Sequence, residues 1–204
     1  MGRDRMPPIG CRWVDINKGD EDNPEYRSRL VAKEIKKDRN QDLFAATPPL
    51  EAKKILLSMA MTEGIGFRRG QEHQGMLLDF IDVRRAYFYA DSKRTVYVDL
   101  PPEDQEEGMC GKLVKSMYGT RDAAQNWEIE YSTFMNDLGF NRGQASPCVF
   151  YHQGRNIRTA IHGDDFTLLG HEEDLDWFRS QIASKYSVKF RGRLGPRRGN
   201  DRSV

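Results

Sequence analysis

Short apolar clusters separated by polar turns fill the first third of the chain, and helical stripes follow. Trp13-Val14-Asp15-Ile16 and Leu30-Val31-Ala32 flank Asp20-Glu21-Asp22-Asn23-Pro24, which predicts two strands, within 10–20 and 26–35, joined by a polar turn. Leu50, Ile55, Leu57, Met59 and Met61 wind around a helix over 50–63, entered through Pro48-Pro49 and left at Gly64 and Gly66. Met76-Leu77-Leu78 and Phe80-Ile81, broken by Asp79 and Asp82, predict a buried strand running into a short helix or turn by residue 90. Thr95 to Val98 is a further strand, stopped by Pro101-Pro102. The clearest helix covers 122–138, with Trp127, Tyr131, Phe134, Met135 and Leu138 at helical spacing and Gly139 as its cap. Cys148–Tyr151 and Ile157–Ile161 are strands joined around Gln153-Gly154-Arg155-Asn156. The second continues through His162-Gly163-Asp164-Asp165 into Phe166–Leu169, and Leu175, Phe178, Ile182 and Tyr186 stripe a last helix. The stretch 191–204 holds five arginines and little that is apolar, which predicts a disordered tail. The order β, β, α, β, β, α, β, β-turn-β, α indicates an α+β fold with a mixed, largely antiparallel sheet.

Composition narrows the picture mainly by exclusion. The 204 residues, 38% of them hydrophobic, suffice for one sizeable core or two small subdomains sharing one. Lys and Arg number 32 against 31 Asp and Glu, so a nucleic-acid site would have to come from local clustering of charge. No apolar run of about 18 residues exists, so no membrane span is expected, and the charged start lacks the apolar stretch of a secretory signal. Cys11, Cys110 and Cys148, with His73, His152, His162 and His171, share no metal-ligand spacing. The odd cysteine count reads as reduced thiols in an intracellular compartment.

Two local features carry chemistry. Arg27, Arg29 and Lys33 recur at period two and so share a face, either as a solvated strand surface or as a grip for phosphates. Asp164-Asp165 lies between two apolar strand segments, either as an ordinary surface turn or as a pair of metal ligands. Adjacent like charges repel by ~1 kcal/mol or more when close and partly buried, a cost that a divalent cation removes. Asp82 ends another strand and would join that pair if the strands are neighbours, which spacing alone leaves open. Such a cluster suits magnesium, which takes one or two carboxylates and completes its shell with water and substrate phosphates.

A resemblance then adds to the residues. Arg29-Leu30-Val31-Ala32-Lys33 resembles the "RLVAK" element of copia-type reverse transcriptases, and Phe44-Ala45-Ala46-Thr47-Pro48 stands at their "FAPV". Asp82-Val83-Arg84-Arg85-Ala86-Tyr87 is similar to "DVKTAF", and Val96-Tyr97-Val98-Asp99-Leu100-Pro101-Pro102 to "VYMKQPPGF". Lys112–Gly119 followed by Trp127 resembles "KLKKSLYGLKQAPRAW", and Gly139-Phe140 through Ser146-Pro147-Cys148 resembles "LGF…DPC". Ile161-His162-Gly163-Asp164-Asp165 stands at "YVDD". These elements keep the family's order and near-family spacing across roughly 9–192.

The resemblance implies a right-hand polymerase without a complete thumb: fingers over 1–74, a palm over 75–190 bridged in part by a helix over 115–140, and the tail over 191–204. It implies an RNA-directed DNA polymerase of a retrotransposon polyprotein, adding deoxynucleotides (dNTPs) to a primer 3′-hydroxyl on an RNA or DNA template. Asp82, Asp164 and Asp165 would hold two Mg2+ ions, or Mn2+, with Val83 lending a backbone carbonyl. Tyr87 would screen the sugar 2′ position, or else be a core aromatic beside Phe88; Arg27, Arg29 and Lys33 would grip the triphosphate. The implied partners are template, primer, dNTPs, and the integrase and ribonuclease H of the same polyprotein, in a cytoplasmic virus-like particle. Three departures accompany the likeness. His162-Gly163 replaces Tyr-Val, clearing a side chain from the primer end and giving the Gly-Asp-Asp pattern also found in viral RNA polymerases. Asp122 replaces a Gln of the nucleotide pocket, which weakens phosphate binding unless it faces elsewhere. Ala124 replaces a Pro and favours helix. The missing thumb and the short chain point to a fragment or an inactive remnant that at most binds nucleic acid.

Overall fold

The computed structural model describes residues 7–35, 43 and 45–196. Along them run β1 (Cys11–Asn17), β2 (Tyr26–Ala32), α1 (Leu50–Met61), β3 (Leu77–Val83), β4 (Tyr97–Val98) and β5 (Gly111–Lys112). After these come α2 (Ala123–Asp137), β6 (Asn141–Arg142), β7 (Val149–His152), β8 (Ile157–His162), β9 (Asp165–Gly170), α3 (Glu172–Lys185) and β10 (Val188–Leu194). The class is α+β, and the main sheet has six strands in the order β10-β3-β9-β8-β7-β6, every neighbouring pair antiparallel.

Two compact units divide the chain, one of Met1–Phe44 with Tyr87–Trp127 and one of Ala45–Ala86 with Glu128–Val204. The expected division at residues 74/75 differs from this grouping: α1 belongs with the sheet, and 87–127 with the β1–β2 ribbon. The reason is apolar contact. Leu56 and Ala60 of α1 are buried against Leu78, Ala160 and Leu169 on one sheet face, with Phe80 beside them. The other face is covered by α2 and α3, where Tyr131 meets Phe150 and Phe166 edge-on at 6.1 Å and Phe134 packs on Phe178. A strand covered on both faces needs apolar residues at successive positions, which is why β3 reads Leu77-Leu78-Asp79-Phe80-Ile81 rather than alternating.

The first unit is built on a smaller core of Ala32, Val96, Val98 and Met117, flanked by Ile9, Cys11, Leu30 and Leu113. The helix expected over 122–138 is α2, and the wider span of 115–140 is helical only from Ala123, because the chain first turns at Gly119. That glycine has φ +88°, and a Cβ there would sit 1.9 Å from the carbonyl oxygen of Ala32, so no other residue fits.

The arginine-rich end corrects an expectation. Residues 191–194, assigned from composition to a disordered tail, form the second half of β10, paired with β3 at the sheet's edge. Val188, Phe190 and Leu194 alternate with basic residues in the pattern of a half-exposed strand, which overall hydrophobicity hides. Gly195 and Pro196 follow without regular structure, and 197–204 lies outside the described residues, as does Phe44 of the "FAPV"-like element.

Candidate active site

β8 and β9 are joined by a two-residue turn, Gly163-Asp164, with Gly163 at φ +61°. A positive φ at the first central residue alone is the type II′ arrangement, whose twist matches an antiparallel hairpin and which favours glycine there. The backbone N–H of Val83 donates to the carbonyl oxygen of Asp164 at 2.9 Å, tying the turn to the end of β3. Asp82 stands directly opposite Asp165 in the β3–β9 register. His162 is opposite Asp165 on the other side, and Lys189 of β10 is opposite Asp82. Directly opposed residues share a face with Cβ atoms roughly 5 Å apart, so His162, Asp165, Asp82 and Lys189 make one lateral row of base, acid, acid and base. The question left open by spacing, whether Asp82 meets the Asp164-Asp165 tip, is thereby answered by strand order.

Asp82 also forms an ion pair with Arg191, in which the guanidinium Nη2 donates to Oδ2. The Asp82 side chain is 20% exposed and that of Arg191 51%. Arg191 gets there through a bulge: Phe190 pairs with Ile81 and Gly192 with Phe80, so Arg191 is the extra residue between them. Neither Arg191 nor Lys189 was anticipated as part of the site; the alternation of basic and apolar residues in 188–194 was the available signal.

Among the described residues no three His, Cys, Asp or Glu side chains gather closely enough to hold a metal ion. The donor chemistry nevertheless fits a hard cation, since Asp82 and Asp165 present carboxylate oxygens on one face, and magnesium needs no more than one or two. Like charges repel across such a pair, and here Asp82 is turned to Arg191 instead.

The first unit carries the remaining candidates. In the β1–β2 register Arg27 is opposite Ile16, Arg29 opposite Val14, and Val31 opposite Arg12. Arg12, Arg27, Arg29 and Lys33 are therefore exposed on one face, and Arg12 is an addition that only the pairing could supply. Arg27 is engaged by Glu25 at 2.6 Å, whereas the Arg29 guanidinium lies 5.9 Å from the centre of the Tyr118 ring. Tyr118 stacks on Tyr87 at 4.5 Å and meets Phe88 edge-on at 5.5 Å, so Tyr87 is part of an aromatic cluster beneath an arginine.

Asp122 faces an internal partner. Arg94 donates to both oxygens of Glu34, at 3.0 and 2.9 Å, and to Asp122 at 2.7 Å, while Asn126 donates to Asp122 at 3.0 Å. Burial pushes the Asp122 and Glu34 carboxyls up, but the hydrogen bonds and charge of Arg94 outweigh it and hold both below their usual range. The Asp122 charge is thus matched within its own unit by Arg94.

Comparison with known proteins agrees with the residues. The family described as "Reverse transcriptase (RNA-dependent DNA polymerase)" matches 3–197. The chain is 24% identical over 179 residues to the retrovirus-related Pol polyprotein from transposon TNT 1-94 of Nicotiana tabacum, covering 82% of this chain and 13% of that protein. It is 26% identical to the corresponding polyprotein from transposon RE2 of Arabidopsis thaliana, covering 91% of this chain and 13% of the relative. A shorter match, 29% over 89 residues, is to the Gag-Pol polyprotein of transposon Ty1-MR1 of Saccharomyces cerevisiae and covers 43% of this chain and 5% of that protein. The chain thus spans only about an eighth of the length of the two plant relatives. With seven motifs in order, carboxylates from two strands side by side, and a family match over nearly all its length, the chain belongs to the reverse transcriptase family, in the copia-type branch of transposon Pol polyproteins.

Proposed function

We propose that this chain is the nucleotidyl-transfer domain of its polyprotein, extending a primer with dNTPs on an RNA or DNA template. The observation that carries the reading is the pairing of Asp82 with Asp165 beside a glycine-initiated hairpin tip at Asp164. In this reading the sheet bearing β3, β8 and β9 is the palm, and the ribbon of β1 and β2 belongs to the fingers. Asp82 and Asp165, with Asp164 and the Val83 carbonyl, hold the magnesium ions. Bound there, such ions make the primer 3′-hydroxyl nucleophilic and stabilise the pyrophosphate leaving group. Gly163, without a side chain, leaves room for the primer end. Arg29 and Lys33 contact the triphosphate, with Arg12 as a further cation and Arg27 less available because of Glu25. Tyr87, its ring fixed by Tyr118, screens the sugar 2′ position.

The test is extension of oligo(dT) on poly(rA) with dTTP and magnesium, comparing the chain with its Asp164→Asn/Asp165→Asn double variant. Extension that disappears in the variant supports the reading; equal silence at high protein and low salt removes it. Where extension occurs, Tyr87→Ala raises ribonucleotide incorporation, and an unchanged ratio removes the gate role. A second reading, a folded remnant that at most binds nucleic acid, is favoured by one observation: Asp82 is engaged by Arg191.

A further inference from the structure

The Asp82–Arg191 pair is built by a specific local device. In a regular antiparallel strand, Phe190 and the residue after it would continue the ladder with β3 in step. Instead the register jumps between Phe190 and Gly192, and Gly192 takes φ +111°, a conformation that glycine tolerates and other residues rarely adopt. The inserted residue is Arg191, and the bulge aims its guanidinium at Asp82. Phe190 goes to the opposite face, where the Arg179 guanidinium lies 4.5 Å from its ring centre. Phe190 packs against Arg179 on that face, while half of the Arg191 side chain stays in solvent.

From this geometry we infer that Arg191 is a built-in counter-cation of Asp82, which a divalent ion must displace before Asp82 can act as its ligand. The inference rests on the reading of Asp82 as a metal ligand. The physical balance is direct. Without a metal, Asp82 and Asp165 face each other as like charges, and Arg191 with Lys189 offsets that repulsion. With a metal, the guanidinium becomes a positive charge beside a dication and has lost its partner. Arg191 therefore stabilises the metal-free arrangement and weakens metal binding, so the concentration of metal needed to load the site is set partly by a residue that never touches the ion.

The test is Mn2+ binding to the chain without nucleic acid or nucleotide, read from the electron paramagnetic resonance signal of free Mn2+. Wild type is compared with Arg191→Gln, Arg191→Lys, Asp82→Asn, and Lys54→Gln, which removes the same charge from an exposed site on α1. The expected result is a five- to tenfold tighter Mn2+ site in Arg191→Gln, on the scale of ~1 kcal/mol for a partly exposed pair. Arg191→Lys and Lys54→Gln stay within about twofold of wild type, and Asp82→Asn loses the site. Circular dichroism shows whether each variant is folded, and if Arg191→Gln is not, Arg191→Ala takes its place with the same expected tightening. Equal affinity in folded Arg191→Gln and wild type, with loss in Asp82→Asn, overturns the role of Arg191 and leaves the metal site standing. Binding that ignores Asp82→Asn overturns both.

Discussion

Asp79 and Asp82 stand three residues apart on β3, and the alternation of a strand sends them to opposite faces. Asp79 is fully buried. Arg179 donates to its two oxygens at 2.7 and 2.6 Å, and Arg193 of β10 adds a third hydrogen bond at 3.2 Å. Arg193 in turn reaches Asp176 at 2.6 Å, so the cluster ties β3, α3 and β10 together. Asp82 lies at the strand's end with one partner, half of which is in solvent, and with a second carboxylate directly opposite. The contrast separates a structural carboxylate from an available one. What distinguishes them is not residue type or strand but the number of fixed donors and the depth at which the charge is held.

Substitutions can break this contrast, and the largest effect belongs to Asp79. Asp79→Asn leaves two guanidinium groups without their shared anion and is expected to cost about 3 kcal/mol in urea unfolding, at the low end for a buried pair because Arg179 can reach water. A loss under about 1 kcal/mol would place Asp79 and Asp82 in the same class.

Arg94→Gln is next, at about 2 kcal/mol, because it strands Glu34 and Asp122 together in the first unit. The sign of its pH dependence follows from the direction of the shifts. Both carboxyls titrate lower in the folded state, so their contribution is present above the unfolded carboxylate range near ~4 and is lost as pH falls through the depressed folded values. Between about pH 5 and 2 wild type should therefore lose more stability than Arg94→Gln, and parallel curves would refute the assignment.

Gly163→Ala follows, costing about 1 kcal/mol from backbone alone, since a Cβ there meets nothing within 4 Å. It should impair extension through the tip that carries Asp164 while leaving the Asp79 cluster intact. The smallest change in stability belongs to Asp82→Asn. It loses one exposed ion pair and relieves one repulsion, so unfolding should move by less than about 0.5 kcal/mol while extension is abolished. A large loss of stability there would mean that Asp82 is structural after all.

Much of this was legible along the chain. The helix with Trp127, Tyr131 and Phe134 declared itself because its period lies within one element, and the hairpin because Asp164-Asp165 lies between apolar strand segments, although the turn itself is Gly163-Asp164 and Asp165 opens β9. Composition misled at 191–194, where a few apolar residues at alternate positions suffice for an edge strand. It also concealed Arg12, which joins the basic face only through cross-strand pairing, and Arg94, whose partners lie 60 and 28 residues away.

Sequence by itself determined the family and the order of the elements, and it singled out Asp82, Asp164 and Asp165 as candidates, because these depend on residue type and on local period. Tertiary structure decided which carboxylates are neighbours and which are neutralised. Asp82 meets Asp165 only because β3 lies between β10 and β9, Asp79 is silenced by arginines 100 and 114 residues downstream, and Asp122 by one that folds back upon it. Charge acts through space over a few ångströms, so the work of an acidic residue is set by what strand order and helix packing bring beside it.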